Sequence, residues 1–452
     1  MQSKKQLSLF DLSMIVVSLV IGMGIFRTPV NVAAKAQVPE LFFLAWIIGG
    51  VVAYFGALIY AEIGSRFPAT GGYYKIFSLC YHPSIAFAIN GIVVLTNAAS
   101  MAGVTLIGSE YLSSVIFPAQ MQTDFYRLMI AGFTVLLFFG INLLGLRASA
   151  KTQNVLTIIK ITLVLMLISA IFFGGQANPI SPVFKTVSGG LPIWSDYGRA
   201  LGMCLIAVTF SFAGYTQTIN LGGDVADAKK NIPKGIKIGL FMIISLYLLI
   251  NYAYVKVIGF EELKTAQSIA SILAGKIFGP AGYTILSAVI FLSVLGYVNV
   301  NLLSNPRAMY AMGEEKALPA VFAKKNTRTD VMVVSLTTFT ALVLITLFFA
   351  QTFDKILNYA IILECIGTAS SAATLFILRK KTEHIDKDTI YTIKWYPLIP
   401  ILFISFFVFV GISIYQDDPA AALNGLLLLG GFIIIYFISR IFNKKQVAAN
   451  GS

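Results

Sequence analysis

Two ionisable side chains stand well inside long apolar runs. Lys160 lies in Leu156-Thr157-Ile158-Ile159-Lys160-Ile161-Thr162-Leu163, and Glu364 in Ile361-Ile362-Leu363-Glu364-Cys365-Ile366. A charge near the centre of a bilayer costs roughly 2.5–3.5 kcal/mol or more, so such a residue faces a cavity or a partner and marks function by default. Lys160 follows Lys151 by nine residues, about 13 Å at helical rise. That depth works against snorkelling to the nearer surface, the alternative role for a membrane lysine. Glu364 has three readings: a coupled proton site, a partner for a cationic or strongly polar substrate side chain, or a structural hydrogen bond to a neighbouring helix.

Two glycine-containing stretches fit the chemistry of binding a zwitterion. The first is Ile21-Gly22-Met23-Gly24-Ile25-Phe26, followed by Thr28-Pro29; the second is Phe210-Ser211-Phe212-Ala213-Gly214-Tyr215. Glycines close together favour local unwinding of a helix. Unwinding leaves a half-helix N-terminus whose free N–H groups and positive dipole end suit a carboxylate. At the second stretch, freed carbonyls are acceptors for an ammonium, and the aromatics can close over a ligand. Tight helix packing accounts equally for membrane glycines, and an ordinary aromatic core for the second stretch. No strand precedes the first stretch, so it is not a dinucleotide fingerprint.

The elements that must position these groups are membrane spans. The chain has 452 residues, 57% hydrophobic and 12% charged, with a mean hydropathy of +0.82. Soluble domains carry roughly 25% charged residues. The apolar runs are continuous rather than alternating, which selects helices over a barrel. About twelve spans are predicted, near 10–36, 40–66, 83–112, 126–147, 150–174, 195–221, 235–258, 280–312, 331–350, 354–378, 395–415 and 419–441. An even count places both termini on one side. That side collects Lys4, Lys5, Arg66, Lys75, Arg147, Lys151, the four lysines from Lys229 to Lys237, Arg307, Lys316, Lys324, Lys325, Arg328, Arg379 to Lys381, Lys387, Lys394, Arg440, Lys444 and Lys445, more than twice the basic residues of the opposite side. Both termini are therefore expected to be cytoplasmic, in a multi-pass protein of the cell membrane. The same bias explains the net charge of +13 without a nucleic-acid partner. Cys80, Cys204 and Cys365 fall in or beside apolar segments and read as packing residues rather than a disulfide framework. His82 and His384 fall in predicted loops, which argues against a histidine-ligated metal; no cofactor is expected. No linker divides the chain, although 175–194 forms a long polar break. Interruptions in the first and sixth spans, five spans apart, are the sequence pointer to an inverted-repeat transporter.

These residues resemble the amino acid–polyamine–organocation (APC) superfamily, and within it the L-type amino acid transporters and their bacterial relatives. Ile21 to Pro29 resembles the family's broken first helix. Tyr60-Ala61-Glu62-Ile63-Gly64-Ser65-Arg66-Phe67-Pro68, with Gly71-Gly72-Tyr73, resembles its second-helix signature and is the most specific match. Phe210 to Gly214 resembles the broken sixth helix, and Lys230-Asn231-Ile232-Pro233 the loop after it. Gly296, Asn299, Arg307 and Leu318-Pro319 resemble the eighth helix and its end. The resemblance implies an all-α fold of five-plus-five inverted repeats, about 9–174 and 195–378, with two extra helices at about 395–441. It implies a substrate site between helices one and six. N–H groups at Met23 and Gly24, beside Gly22, would hold the carboxylate; carbonyls at Val20, Phe210 and Ala213 would hold the ammonium. Ser211, Gly214, Asn299 and Glu364 would complete the pocket, with Phe210 as an outer gate. Lys160 falls where sodium-independent members place a lysine, its ammonium standing in for a sodium ion.

The sequence also departs from the family. Gly223-Asp224 retains one of two acids often found after the sixth-helix break, and Glu364 replaces a neutral polar residue of the mammalian members. The loop between spans three and four has no cysteine, so no disulfide-linked glycoprotein subunit is expected. The reading is a sodium-independent L-amino acid transporter working by alternating access, either an exchanger or a proton-coupled permease. A channel would need a continuous polar path, and an intramembrane enzyme a paired nucleophile and base or metal ligands; neither is present in the spans. A sensor built on the same fold, binding amino acids without moving them, is the alternative.

Overall fold

A computed structural model describes residues 7–22, 24–173, 194–266, 269–349 and 353–449. Among them every regular element is helical, and the only strand pairing consists of the isolated bridges Leu7–Val225 and Thr70–Leu221. In order, the helices are α1 (Leu9–Val20), α2 (Gly24–Ala36), α3 (Pro39–Arg66), α4 (Gly72–Cys80), α5 (Pro83–Ile116), α6 (Asp124–Leu143), α7 (Leu146–Ile168), α8 (Ala170–Phe173), α9 (Trp194–Phe212), α10 (Ala228–Ile258), α11 (Phe260–Leu263), α12 (Ile269–Phe278), α13 (Gly282–Glu314), α14 (Val333–Phe348), α15 (Phe353–Lys381), α16 (Leu398–Asp417) and α17 (Pro419–Ala449).

Among the described residues ten helices are long and apolar enough to cross a membrane, and the bent pair α1–α2, taken as one span, makes an eleventh. The ninth predicted span, 331–350, is α14 with 16 residues, about 24 Å at helical rise and short of a hydrocarbon core of about 30 Å. The predicted interruption in the first span is a bend of 43° between α1 and α2. The sixth span stops as α-helix at Phe212 and continues as the 3₁₀ segments Tyr215–Asn220 and Gly222–Asp224. The polar loop 175–194 lies outside the described residues but for its last position.

Local chemistry sets the boundaries. Ser8 caps α1 in a reciprocal box with Asp11, satisfying the N–H groups that open the helix. His82, read as a loop residue, accepts from the Ser84 N–H as the N-cap of α5, with Pro83 in the first turn. Gly145, at φ 109°, separates α6 from α7. The loop after α3 holds the extra helix α4, which the hydropathy pattern hides because it is short. Burial is greatest in α5 and α13 and least in α17 and α6, so the latter pair forms part of the rim. The two broken segments lie at the centre: α1 packs on α10 and α7, α2 on α9, and Tyr215–Asn220 touches α1, α3, α4, α10 and α13.

Candidate functional site

The two breaks meet backbone to backbone. Gly214 has φ +105°, and a Cβ there would come within 2.5 Å of the Leu19 carbonyl oxygen. Only glycine accepts both that conformation and that approach without strain. Across the contact, a Cβ on Gly24 would lie 3.2 Å from Ser211 Oγ. The opening N–H groups of α2, from Gly24 onward, have no acceptor within their own helix, so they form a donor cluster facing Ser211. Gly22 folds its N–H back on Val20 O at 2.8 Å, and the Tyr297 ring lies 3.7 Å from where its Cβ would be. Met23 lies outside the described residues. Ala213 donates its N–H to Phe210 O at 3.2 Å. Phe210 itself is 47% exposed, so its ring does not cover the break in this state.

A tyrosine not singled out in the sequence joins the two halves. Tyr247 of α10 is fully buried, and its hydroxyl lies 3.1 Å from Val20 O and 3.3 Å from Ser211 O. One O–H proton serves one carbonyl at a time, so this hydroxyl spans the breaks rather than saturating them. The ring is held by Phe212 and Trp46, at centroid distances of 5.1 and 5.9 Å. Tyr297 of α13 is the second unforeseen member; its hydroxyl is 3.1 Å from Ser100 Oγ of α5. A polar atom on an otherwise apolar helix face was the available signal for both, but an aromatic ring fits an apolar span well enough to mask it.

Lys160 is completely buried. Its Nζ donates to Ile21 O at 2.6 Å and Ser18 Oγ at 3.1 Å, and lies 3.4 Å from Ser18 O. The ammonium thus sits on the C-terminal end of α1, where freed carbonyls and the negative dipole end favour a cation. Two further polar contacts run down the same α1–α7 seam. Thr157 Oγ1 lies 3.3 Å from Met14 O, and Asn154 Nδ2 donates to Asp11 Oδ1 at 2.5 Å.

Asn299 does not join the break. Its amide is fully buried and is taken up by Asn142 at 3.0 Å, by Gln153 Oε1 at 2.8 Å and by the Ser149 carbonyl at 3.1 Å. It ties α13 to α6 and α7. Glu364 lies instead against α5, beside a small cavity lined by Ile89, Ile92, Val93 and Thr96, and its carboxylate accepts from Thr368. Tyr297 stands between this carboxyl and the glycine break.

Toward the terminal side the site is shut by paired charges. Arg307 and Asp224 meet at 2.7 Å with both side chains nearly buried, which gives the retained acid of Gly223-Asp224 a partner. Glu62, fully buried, accepts from Arg66 at 2.7 Å, from both Nε and Nη2 of Arg379 at 2.8 and 2.7 Å, and from the Ile393 N–H at 2.8 Å. Lys75 pairs with Glu314 at 2.6 Å. The chain start is sewn to the segment after the second break by Leu7 N–H to Asp224 O and Ala226 N–H to Leu7 O, at 3.1 and 2.9 Å.

Two facing broken helices, a buried cation on one of them and a closed layer on one side define a membrane transporter with a central site for a small polar solute. Comparison with known proteins gives the family. The chain belongs to the amino acid permease family, whose model matches residues 7–438. It is similar to the serine/threonine exchanger SteT of Bacillus subtilis (strain 168), 27% identical over 442 residues, with 96% of each chain covered. It is similar to the large neutral amino acids transporter small subunit 2 of Mus musculus, 25% identical, covering 99% of this chain and 83% of the other. It is also similar to the human Asc-type amino acid transporter 1, 22% identical, with 98% and 83% covered. These are transporters, not enzymes, as the sequence led us to expect for this chain.

Proposed function

We propose that the protein carries L-amino acids across the cell membrane by sodium-independent alternating access, with both termini cytoplasmic and with repeats at about 9–174 and 195–378. The observation that supports this best is the Lys160 ammonium on Ile21 O and Ser18 Oγ, a fixed positive charge where a bound cation would otherwise have to hold α7 to α1. The zwitterion would lie between the breaks, its carboxylate on the α2 N–H groups at Gly24 and Met23 beside Gly22. Its ammonium would meet carbonyls at Val20, Phe210, Ser211 and Ala213, near the bend made by Gly214. Asn299 serves as a positioning residue for α7 rather than a ligand. The paired charges on the terminal side and the exposure of Phe210 support reading this as a carrier that opens away from its termini. The chain matches the exchanger SteT over 96% of each chain, and no disulfide-linked subunit is proposed. The test is counterflow of labelled L-serine, L-threonine and L-leucine in proteoliposomes. Trans-stimulated uptake that persists when choline replaces sodium supports the reading. Binding without counterflow would make the protein a sensor.

A further inference from the structure

The geometry points to Glu364 as the binding site of a coupled proton, reached from the terminal side through a line of buried hydroxyls on α15, α3 and α4. This deepens the transport reading and rests on it.

The first observation is the absence of a counter-charge. Glu364 lines a cavity against α5, and the titratable groups within electrostatic range of it are Tyr297 of α13, Tyr60 of α3, Tyr73 of α4, Tyr215 of the second break and Cys365 on its own helix. From α5 it meets Thr96 and apolar side chains. No described salt bridge involves it, and the basic side chain Arg379 lies fifteen residues further along α15, about 22 Å at helical rise. Arg379 is in any case engaged by Glu62. Lys160 is engaged by α1. A half-buried carboxylate facing an apolar cavity, with no ion-pair partner among the described residues, is costlier than a neutral carboxyl. A proton is the counter-charge that suits a carboxyl whose neighbours are hydroxyls.

The second observation is the route. Thr368 and Ser371 follow Glu364 at four and seven residues, on one face of α15, and both are buried. Thr368 donates to Glu364. Ser371 interacts with the hydroxyls of Tyr60 and Tyr73. The Tyr60 hydroxyl is completely buried, yet it lacks a partner in full hydrogen-bond geometry. A buried donor in that condition is expensive in a merely structural role, and it is the group that must rotate in a relay. Tyr73 opens α4, where its N–H is held by Asn220 Oδ1 at 3.0 Å, so the line ends at the closed terminal-side layer.

The third observation is the link to the substrate. Tyr297 lies against Gly22 and bonds Ser100, and its phenol is within electrostatic range of Glu364. Protonation converts carboxylate plus H⁺ into carboxyl, and deprotonation on the other side reverses it. The cycle moves one proton with each substrate and needs no other reactant. Such a charge change biases the equilibrium between the two open states by its differential interaction with each.

The test uses the full chain in proteoliposomes with labelled L-serine and an imposed pH gradient, acid on the uptake side. With one proton per substrate, each pH unit is expected to give about tenfold accumulation, abolished by a protonophore. Counterflow without gradient-driven accumulation would overturn the inference and leave the transport reading standing; no counterflow of any amino acid would overturn both. In Glu364→Gln protein that still performs counterflow, the accumulation ratio is expected to fall to one, and a ratio equal to that of the unsubstituted protein overturns the assignment. Tyr60→Phe keeps the carboxyl and interrupts the line. It is expected to slow gradient-driven uptake at least about fivefold while reaching the same final ratio, because a relay sets rate and not stoichiometry. An unchanged rate in Tyr60→Phe rejects the hydroxyl route.

Discussion

Replacing Lys160 removes the one cation that joins α7 to the first break, and the structure gives the size of the effect. Its two firm bonds, 2.6 Å to Ile21 O and 3.1 Å to Ser18 Oγ, are charge-assisted, worth roughly 1.5–3 kcal/mol each. Both link α7 to the end of α1, next to the layer that must part if the site is to open toward the termini. If opening breaks them, their loss shifts the balance of states by about 2–4 kcal/mol, after allowance for the desolvation that the buried ammonium no longer incurs. At about 1.4 kcal/mol per factor of ten, that is about 30- to 700-fold in the population ratio. The zwitterion's proposed contacts, the α2 N–H groups and the carbonyls at Val20, Phe210, Ser211 and Ala213, are not themselves bonded to Lys160.

The expected outcome for Lys160→Ala is a turnover rate lower by at least about 30-fold, with an equilibrium dissociation constant changed less than about fivefold. Cavity formation is a competing cause of damage, since deleting a large buried side chain costs about 2–5 kcal/mol. Lys160→Met keeps most of the volume without the charge and separates the two. Initial rates of labelled uptake and equilibrium binding, measured on the same purified preparations, give both quantities. A methionine variant that transports at the original rate would refute the bridging role and leave Lys160 as packing.

Three further outcomes follow from the site. Amino acid methyl esters should compete at least about tenfold more weakly than the free acids in uptake inhibition, because esterification removes the charge that the α2 N–H groups favour; equal competition would show that the carboxylate is bound elsewhere. Gly214→Ala should abolish counterflow, since a Cβ meets the Leu19 carbonyl at 2.5 Å and the φ of +105° suits only glycine, a strain of about 1–3 kcal/mol or more; normal rates would mean that the breaks separate freely. Tyr247→Phe should leave Val20 O and Ser211 O without their shared donor, a loss of about 1–3 kcal/mol. It is expected to weaken substrate binding or turnover about five- to 100-fold in the same two assays, and wild-type values in both would make the hydroxyl incidental.

What could be read from the sequence depended on how far each residue departs from what its surroundings demand. Lys160 was legible because an ammonium inside an apolar run has few physically acceptable positions, and the freed carbonyls of a broken helix are one of them. The breaks themselves were legible from Gly22, Gly24 and Gly214; of these Gly214 takes a positive φ that favours glycine, and Gly24 comes close to Ser211. Asn299 shows the limit of the same logic. A polar side chain in an apolar span must have buried partners, but the span does not say which side they lie on; here they are Asn142, Ser149 and Gln153, on α6 and α7. Tyr247 and Tyr297 were illegible for the opposite reason, because a phenol satisfies an apolar face by its ring and shows its hydroxyl only when a partner is placed beside it. The short helix α4 and the 3₁₀ run Tyr215–Asn220 escaped because neither is long enough to impose a period. Hydropathy therefore locates the scaffold, and glycine and charge locate the break. The aromatic bridge between the halves depends on distances of about 3 Å across elements far apart in the chain, which no local pattern encodes. The same distinction makes Glu364 informative: its type left three readings open, and the hydroxyls near it in the structure suit a group whose counter-charge arrives and leaves as a proton.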